Sequence, residues 1–260
     1  MSEVIRVFCG TEPKTALACK VLEHSIRSRT RSEVQFVSMV GPDWEYSTEG
    51  FRQGTGFSLR RWMIPKACNW QGRAIYLDAD QTVLGDIAEL WAYPDLLPSP
   101  GCSTWMTLQP DKFNKRPWPQ SSVMVIDCSE ARGEWGWDIN QACHFLKKSP
   151  DRSSYINFMH ADWLSQKPQQ IPTTWNHLNE YSPGETKLLH YTKEDAQCWY
   201  KPDHPLAYLW KEELTKAIEA KAVTEKEFRD ALALWKAPRL DSRKMQGLHP
   251  SYAKWLRYFS

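Results

Sequence analysis

Residues 74–91 read AIYLDADQTVLGDIAELW. The first five, AIYLD, are apolar at positions of both parities, as expected of a strand buried on both faces of a central sheet. Asp78 and Asp80 leave its carboxyl end. Side chains two apart on an extended segment point the same way, so these carboxylates are expected to share one location. The carboxyl ends of the strands are where open α/β sheets gather their ligands. Paired carboxylates beside a dry strand repel unless a cation lies between them. Oxygen-rich ligands suit Mg²⁺ or Mn²⁺, and a diphosphate completes the octahedron. Taken alone, so short and common an acidic motif fits solvated turn residues or a helix cap better. Further on, Asp86 and Glu89 have the spacing of a capping box for a helix carrying Ile87, Leu90 and Trp91.

Upstream, VIRVFC at 4–9 is β-branched and aromatic and reads as a buried first strand, followed by a Gly10-Thr11-Glu12 turn. Pro13 opens a helix whose apolar face runs through Leu17, Ala18, Val21, Leu22 and Ile26. VQFVSMV at 34–40 reads as a second strand, and strand–turn–helix–strand favours a parallel α/β sheet. Ser58 is placed as the cap of a short helix carrying Arg60, Arg61 and Trp62, interrupted by Pro65. Downstream, SVMVID at 122–127 is another strand, and WDINQACHFLKK a helix after it. From about 205 the pattern changes to charged amphipathic helices and a basic, aromatic tail, HPSYAKWLRYF. The expected division is therefore a first unit over 1–204 and a helical extension over 205–260. The tail is a candidate for peripheral membrane contact, against ordinary packing on the first unit.

Composition narrows the class. With 33 basic and 31 acidic residues, no global field argues for nucleic acid. A chain of 260 residues buries a large core without disulfides or structural metal. Seven cysteines are scattered without a CxxC pair, which fits free thiols in a reducing compartment. The first residues lack the basic and apolar regions of a signal peptide, and no apolar run reaches bilayer length. A cytoplasmic protein is the expectation. Fourteen tryptophans are many for a chain of this size, and Trp105, Trp118 and Trp135 are candidates for a stacking platform for an acceptor, with ordinary core packing explaining them equally well.

The segment GFSLRRWMIPKACNWQGRAIYLDADQTVLGDIAELW, with KLLHYT at 187–192, resembles the family 8 glycosyltransferases, the group of glycogenin and the bacterial lipopolysaccharide galactosyl- and glucosyltransferases. The resemblance spans most of 4–202 and is densest at 57–91. It implies a GT-A type, Rossmann-like mixed α/β sheet flanked by helices. It implies a retaining transferase that moves a hexose, glucose or galactose, from a UDP-sugar to a saccharide or other hydroxyl acceptor. By the same resemblance Asp78, Asp80 and His190 hold Mn²⁺ or Mg²⁺. Arg61, seventeen positions before Asp78, is the donor-binding base, and Gly10, Thr11 and Glu12 lie against the uridine. Ala79, Ser121, Ser122, His160 and Gln197 fall at donor-contacting positions.

Some positions depart from the family pattern. Gln120-Ser121-Ser122 replaces Asn-(Ser/Ala)-Gly, and His160-Ala161 stands where an Asp-Gln pair contacts the donor sugar. Gln197 takes the place of a diphosphate-steadying lysine, with Lys193 and Lys201 as compensating candidates. Without an assured nucleophile, a front-face mechanism is expected, in which a phosphate oxygen takes the acceptor's proton and Arg61 stabilises the departing UDP. A covalent route through Asp162 is the alternative. Two other functions fit parts of the chain. DADQT matches the nucleophile motif of haloacid-dehalogenase-type phosphatases, although that motif normally opens its domain. A catalytically weak sugar-nucleotide-binding protein fits the departures.

Overall fold

A computed structural model describes residues 3–51, 55–110, 117–192, 197, 199 and 204–235. The expected roles of Lys193, Lys201 and the tail at 249–259 lie outside the described residues. The sheet grows from the strands the sequence marks. Strands β1 (Ile5–Gly10), β2 (Val34–Ser38) and β3 (Arg73–Asp78) run parallel, with β1 in the middle. Helix α1 (Ala16–Arg27) makes the crossover from β1 to β2.

Helix α2 (Ile64–Ala67) precedes β3; after β3 come the short strand β4 (Gln81–Val83), helices α3 (Ile87–Trp91) and α4 (Tyr93–Leu96), and strand β5 (Thr104–Gln109). Strand β6 (Trp118–Asp127) then lies antiparallel to both β3 and β5. It begins four residues before the expected 122–127 strand. Helices α5 (Ile139–Lys148) and α6 (Arg152–Met159) precede β7 (Gln169–Ile171), which closes a six-stranded mixed sheet in the order β2-β1-β3-β6-β5-β7. A second sheet sets β9 (Leu188–His190) between β4 and β8 (His177–Leu178).

Period-two alternation explains why both faces of the main sheet are dry. Val7, Ile75, Leu77, Val123 and Val125 point to one side, where Leu22 and Ile26 of α1 and Ile87 and Leu90 of α3 cover them. Phe8, Ala74, Tyr76, Met124 and Ile126 point to the other, under Trp62, Trp137, Phe158 and Leu146. Residue parity puts Asp78 on the Tyr76 side, where the chain around Arg61 packs.

Helix α1 is apolar on two sides rather than one. Leu22 and Ile26 meet the sheet, while Leu17, Ala18 and Val21 meet Leu209, Trp210 and Leu214 of α7 (Ala207–Glu219). Helix α8 (Glu225–Trp235) joins the same cluster through Phe228. A partly buried ion pair fastens this contact: Arg29 donates to both carboxylate oxygens of Glu213, at 2.9 and 2.5 Å.

Three local expectations are corrected. Ser58 does not cap a helix: its hydroxyl accepts from the Thr55 amide at 2.8 Å, and a 3₁₀ turn over Arg60–Met63 starts the helical segment. Pro65 does not interrupt it either. It sits in the first turn of α2, where its missing N–H costs nothing. The Asp86 cap forms, accepting from the Ala88 amide at 2.9 Å, whereas Glu89 reaches across to Lys187 instead of closing the box.

Candidate active site

The site is built where β3 ends. Asp78 is the last residue of that strand, and Asp80 follows in the turn into β4. Strand β4 pairs antiparallel with β9, with Gln81 opposite His190. The Tyr191 amide, which follows, donates to the Asp80 carbonyl at 2.9 Å. This pairing carries an imidazole from far along the chain to the two aspartates. Asp78, Asp80 and His190 each offer a ligand atom, and those atoms all lie within 4.8 Å of one another. His190 Nε2 is 3.2 Å from Asp80 Oδ1.

The electrostatics fit a cation. Burial raises the Asp78 carboxyl above its ordinary value; Arg61 opposes the rise and Asp80 adds to it. Burial alone would lower His190, yet the neighbouring Asp80 and Asp78 carry it above its usual value. His190 Nε2 and Asp80 Oδ1, 3.2 Å apart, thus face one another where both could ligate one divalent cation. Two carboxylates and an imidazole form a donor set of hard oxygens and one nitrogen, suited to Mn²⁺ or Mg²⁺. On this chemistry the residues fit the ion.

Arg61 is buried at 4% exposure, and each of its three guanidinium nitrogens has a partner. It donates to Asp78 Oδ1 at 3.0 Å, to the Ser58 carbonyl at 2.9 Å, and to the carbonyl and hydroxyl of Ser121 at 2.5 and 3.2 Å. Its guanidinium lies 4.5 Å over the Tyr76 ring, and the Tyr76 hydroxyl donates to the same Asp78 oxygen at 2.5 Å. The base expected to face the donor therefore grips the aspartate.

Other sequence-predicted residues fall around this centre. Gly10 ends β1 opposite Asp78, and its carbonyl accepts from the Ala79 amide at 3.1 Å. Thr11 is buried, its hydroxyl 3.0 Å from that of Thr15. Glu12 pairs with Lys14 at 2.9 Å. Gln197 donates to Asp80 Oδ2 at 2.8 Å, so the residue in the lysine's place holds the second aspartate. Ser122 accepts at its carbonyl from Gln81 and at its hydroxyl from Asn176.

His160 stacks on Trp118, with ring centroids 4.9 Å apart. Asp162 is exposed and pairs with Lys167 at 3.1 Å, outside the cluster of Asp78, Asp80 and His190. Of the candidate platform tryptophans, Trp105 is core at 3% exposure. Trp135 packs among Phe145, Phe158 and Trp163.

Sequence reasoning missed two residues. Arg60 donates to the carbonyls of Thr11 and Met39, holding the turn after β1. Its place beside Arg61 was the available signal. Asn176, fully buried, bonds to His190 Nδ1 at 2.9 Å, and no spacing rule points to it.

No family model matches the chain. The Arabidopsis thaliana protein named Protein CDI is 26% identical over 228 residues, covering 80% of this chain and 85% of that protein. Among solved structures, the galactosyltransferase LgtC with donor and acceptor sugar analogues superposes with a TM-score of 0.61 over 87% of this chain and 100% of that one, at 12% identity. The fold is GT-A.

The apo WbbM bifunctional glycosyltransferase shares the GT-A fold with a TM-score of 0.63 and 11% identity, over 88% of this chain. This chain spans about half of that protein, 51% of its length. GlyE of Streptococcus pneumoniae TIGR4 superposes less closely, with a TM-score of 0.52 and 12% identity over 85% of this chain and 64% of that one. The GT-A neighbours bear out, at the level of fold, the resemblance drawn from 57–91 and 187–192. In this GT-A chain the acidic pair, as expected, leaves a central strand at its carboxyl end.

Proposed function

We propose that the protein is a metal-dependent, retaining glycosyltransferase that moves glucose or galactose from a UDP-sugar to a hydroxyl acceptor. The observation carrying this reading is the convergence of Asp78, Asp80 and His190 within 4.8 Å at the mouth of a GT-A sheet. These residues would hold Mn²⁺ or Mg²⁺, which when bound supplies positive charge for the donor diphosphate. Gly10, Thr11 and Glu12 line the uridine side; Ala79, Ser121, Ser122 and His160 lie toward the donor. Arg61 and Gln197 act through the aspartates they grip, fixing the ligand geometry before substrate arrives. Arg61 also adds a fixed positive charge near the leaving group. With Asp162 bound to Lys167 on the surface, a front-face route is favoured, in which a donor phosphate oxygen takes the acceptor's proton. The transferase unit is assigned to 1–204 and the helical extension to 205–260. Free cysteines at all six described positions agree with a reducing, cytoplasmic setting. Among the described residues no helix is long and apolar enough to cross a membrane.

The phosphatase reading is not favoured, because DADQT lies at the end of the third strand of a GT-A sheet rather than opening its domain. The test is thermal unfolding with UDP and Mn²⁺, alone and together, followed by hydrolysis assays on UDP-glucose and UDP-galactose. The expected outcome is a rise in Tm with both ligands that exceeds either alone, and metal-dependent release of sugar abolished in Asp80→Ala. Failure of UDP and Mn²⁺ to bind together would sink the transferase reading. Cooperative binding without turnover of either sugar would mark a binding protein.

A further inference from the structure

His190 has two ring nitrogens, and only one is available to a metal. Nε2 faces Asp80 at 3.2 Å, whereas Nδ1 faces Oδ1 of Asn176 at 2.9 Å. Asn176 closes a 3₁₀ turn over Thr173–Asn176, immediately before β8, and is fully buried. Its amide group is oriented on its other side: Nδ2 donates to the hydroxyls of Ser122 at 3.1 Å and Thr107 at 3.3 Å. The backbone is anchored too, since Gln109 Nε2 donates to the Asn176 carbonyl at 2.7 Å. The other polar neighbour of Nδ1 is Gln81 Nε2 at 3.4 Å, itself a donor. That amide has a shorter partner in the Ser122 carbonyl, at 3.0 Å. The Nδ1 proton therefore goes to Asn176.

We infer that Asn176 is the positioning residue of the metal centre: by accepting the Nδ1 proton of His190, it fixes the tautomer that leaves the Nε2 lone pair for the cation. A ligating histidine whose second nitrogen is so held keeps its ring orientation and gains basicity. Thr107 and Ser122 extend the support to β5 and β6, so the third ligand is braced against the main sheet although it belongs to the smaller one. This inference rests on the metal-binding reading of Asp78, Asp80 and His190.

The test is Mn²⁺ affinity of the full chain, read from the electron paramagnetic resonance signal of free Mn²⁺ and independent of sugar transfer. Asn176→Ala is expected to weaken binding about 10- to 100-fold. Asn176→Asp, which keeps an acceptor in place, is expected to restore it to within a few-fold. In a His190→Ala background, Asn176→Ala should produce no further loss, because its effect passes through the ring. A general loosening of the fold would instead remain visible there. A second measurement needs no variant: long-range ¹H–¹⁵N spectra with Mg²⁺ should show His190 protonated at Nδ1 and unprotonated at Nε2. Unchanged Mn²⁺ affinity in Asn176→Ala, additive losses, or the opposite tautomer overturns the inference alone. Absence of Mn²⁺ binding by the wild-type protein overturns the metal reading as well.

Discussion

The Arg61 guanidinium and the Asp78 carboxylate form an ion pair at 3.0 Å, with 5% and 15% of their side chains exposed. A pair so enclosed is costly to break from one side, because the remaining charge stays in a dry place. Arg61→Ala should lower unfolding free energy by about 3–5 kcal/mol in urea titration. Arg61→Lys should fall between, since one ammonium cannot reach Asp78, Ser58 and Ser121 in the planar arrangement a guanidinium provides. A stability change below about 0.5 kcal/mol for Arg61→Ala would show the pair to be incidental.

Gly10 bears on the same aspartate from another side. A Cβ at this position would run into the Tyr76 hydroxyl and the Phe57 ring. The glycine thus lets Tyr76 reach Asp78. Gly10→Ala should cost about 1–3 kcal/mol through overpacking and weaken Mn²⁺ binding by disturbing the Tyr76 contact. Combining it with Tyr76→Phe should reduce that cost, because the hydroxyl nearest the added carbon is gone. Equal costs in the two backgrounds would argue against this contact as the cause.

Glu213 supplies the pH dependence. Burial pushes its carboxyl up, but hydrogen bonds from Arg29 and Lys216 leave it below its ordinary value of 4.5. A depressed folded-state pKa means that the unfolded chain binds the proton more readily. The contribution to stability is therefore complete above about pH 4.5 and is lost as pH falls through the lowered value. Glu213→Gln should lower stability near neutrality by about 2 kcal/mol and flatten the acid limb of a stability–pH curve. A variant whose acid limb matches the wild type would assign that limb to other carboxylates.

The sheet was legible because alternation at 4–9, 74–78 and 122–127 is carried by residues that have no other place to go than a two-sided core. Asp78 and Asp80 were legible for the same reason, as charges at the end of an apolar strand. His190 was reached only through resemblance, since KLLHYT contains nothing local that separates a ligand from a structural histidine. Strands β4, β5 and β7 escaped notice. Two are three residues long, and Thr104–Gln109 mixes polar and apolar side chains. Arg61 was found, but its partner was not, because a guanidinium's direction is decided by packing around Tyr76 and Ser121. Asn176 had no signature at all: it acquires meaning only when distant strands close around it.

The pairing of Gln81 with His190 joins residues 109 positions apart, and it belongs to a strand contact three residues long. Capture of a cation therefore reports closure of a junction between segments far apart in the chain. A polypeptide ending before Leu188 would retain the acidic pair yet lack the ring opposite it. Metal uptake during refolding would accordingly lag formation of the parallel strands, timing the closure of the smaller sheet rather than of the first half of the chain.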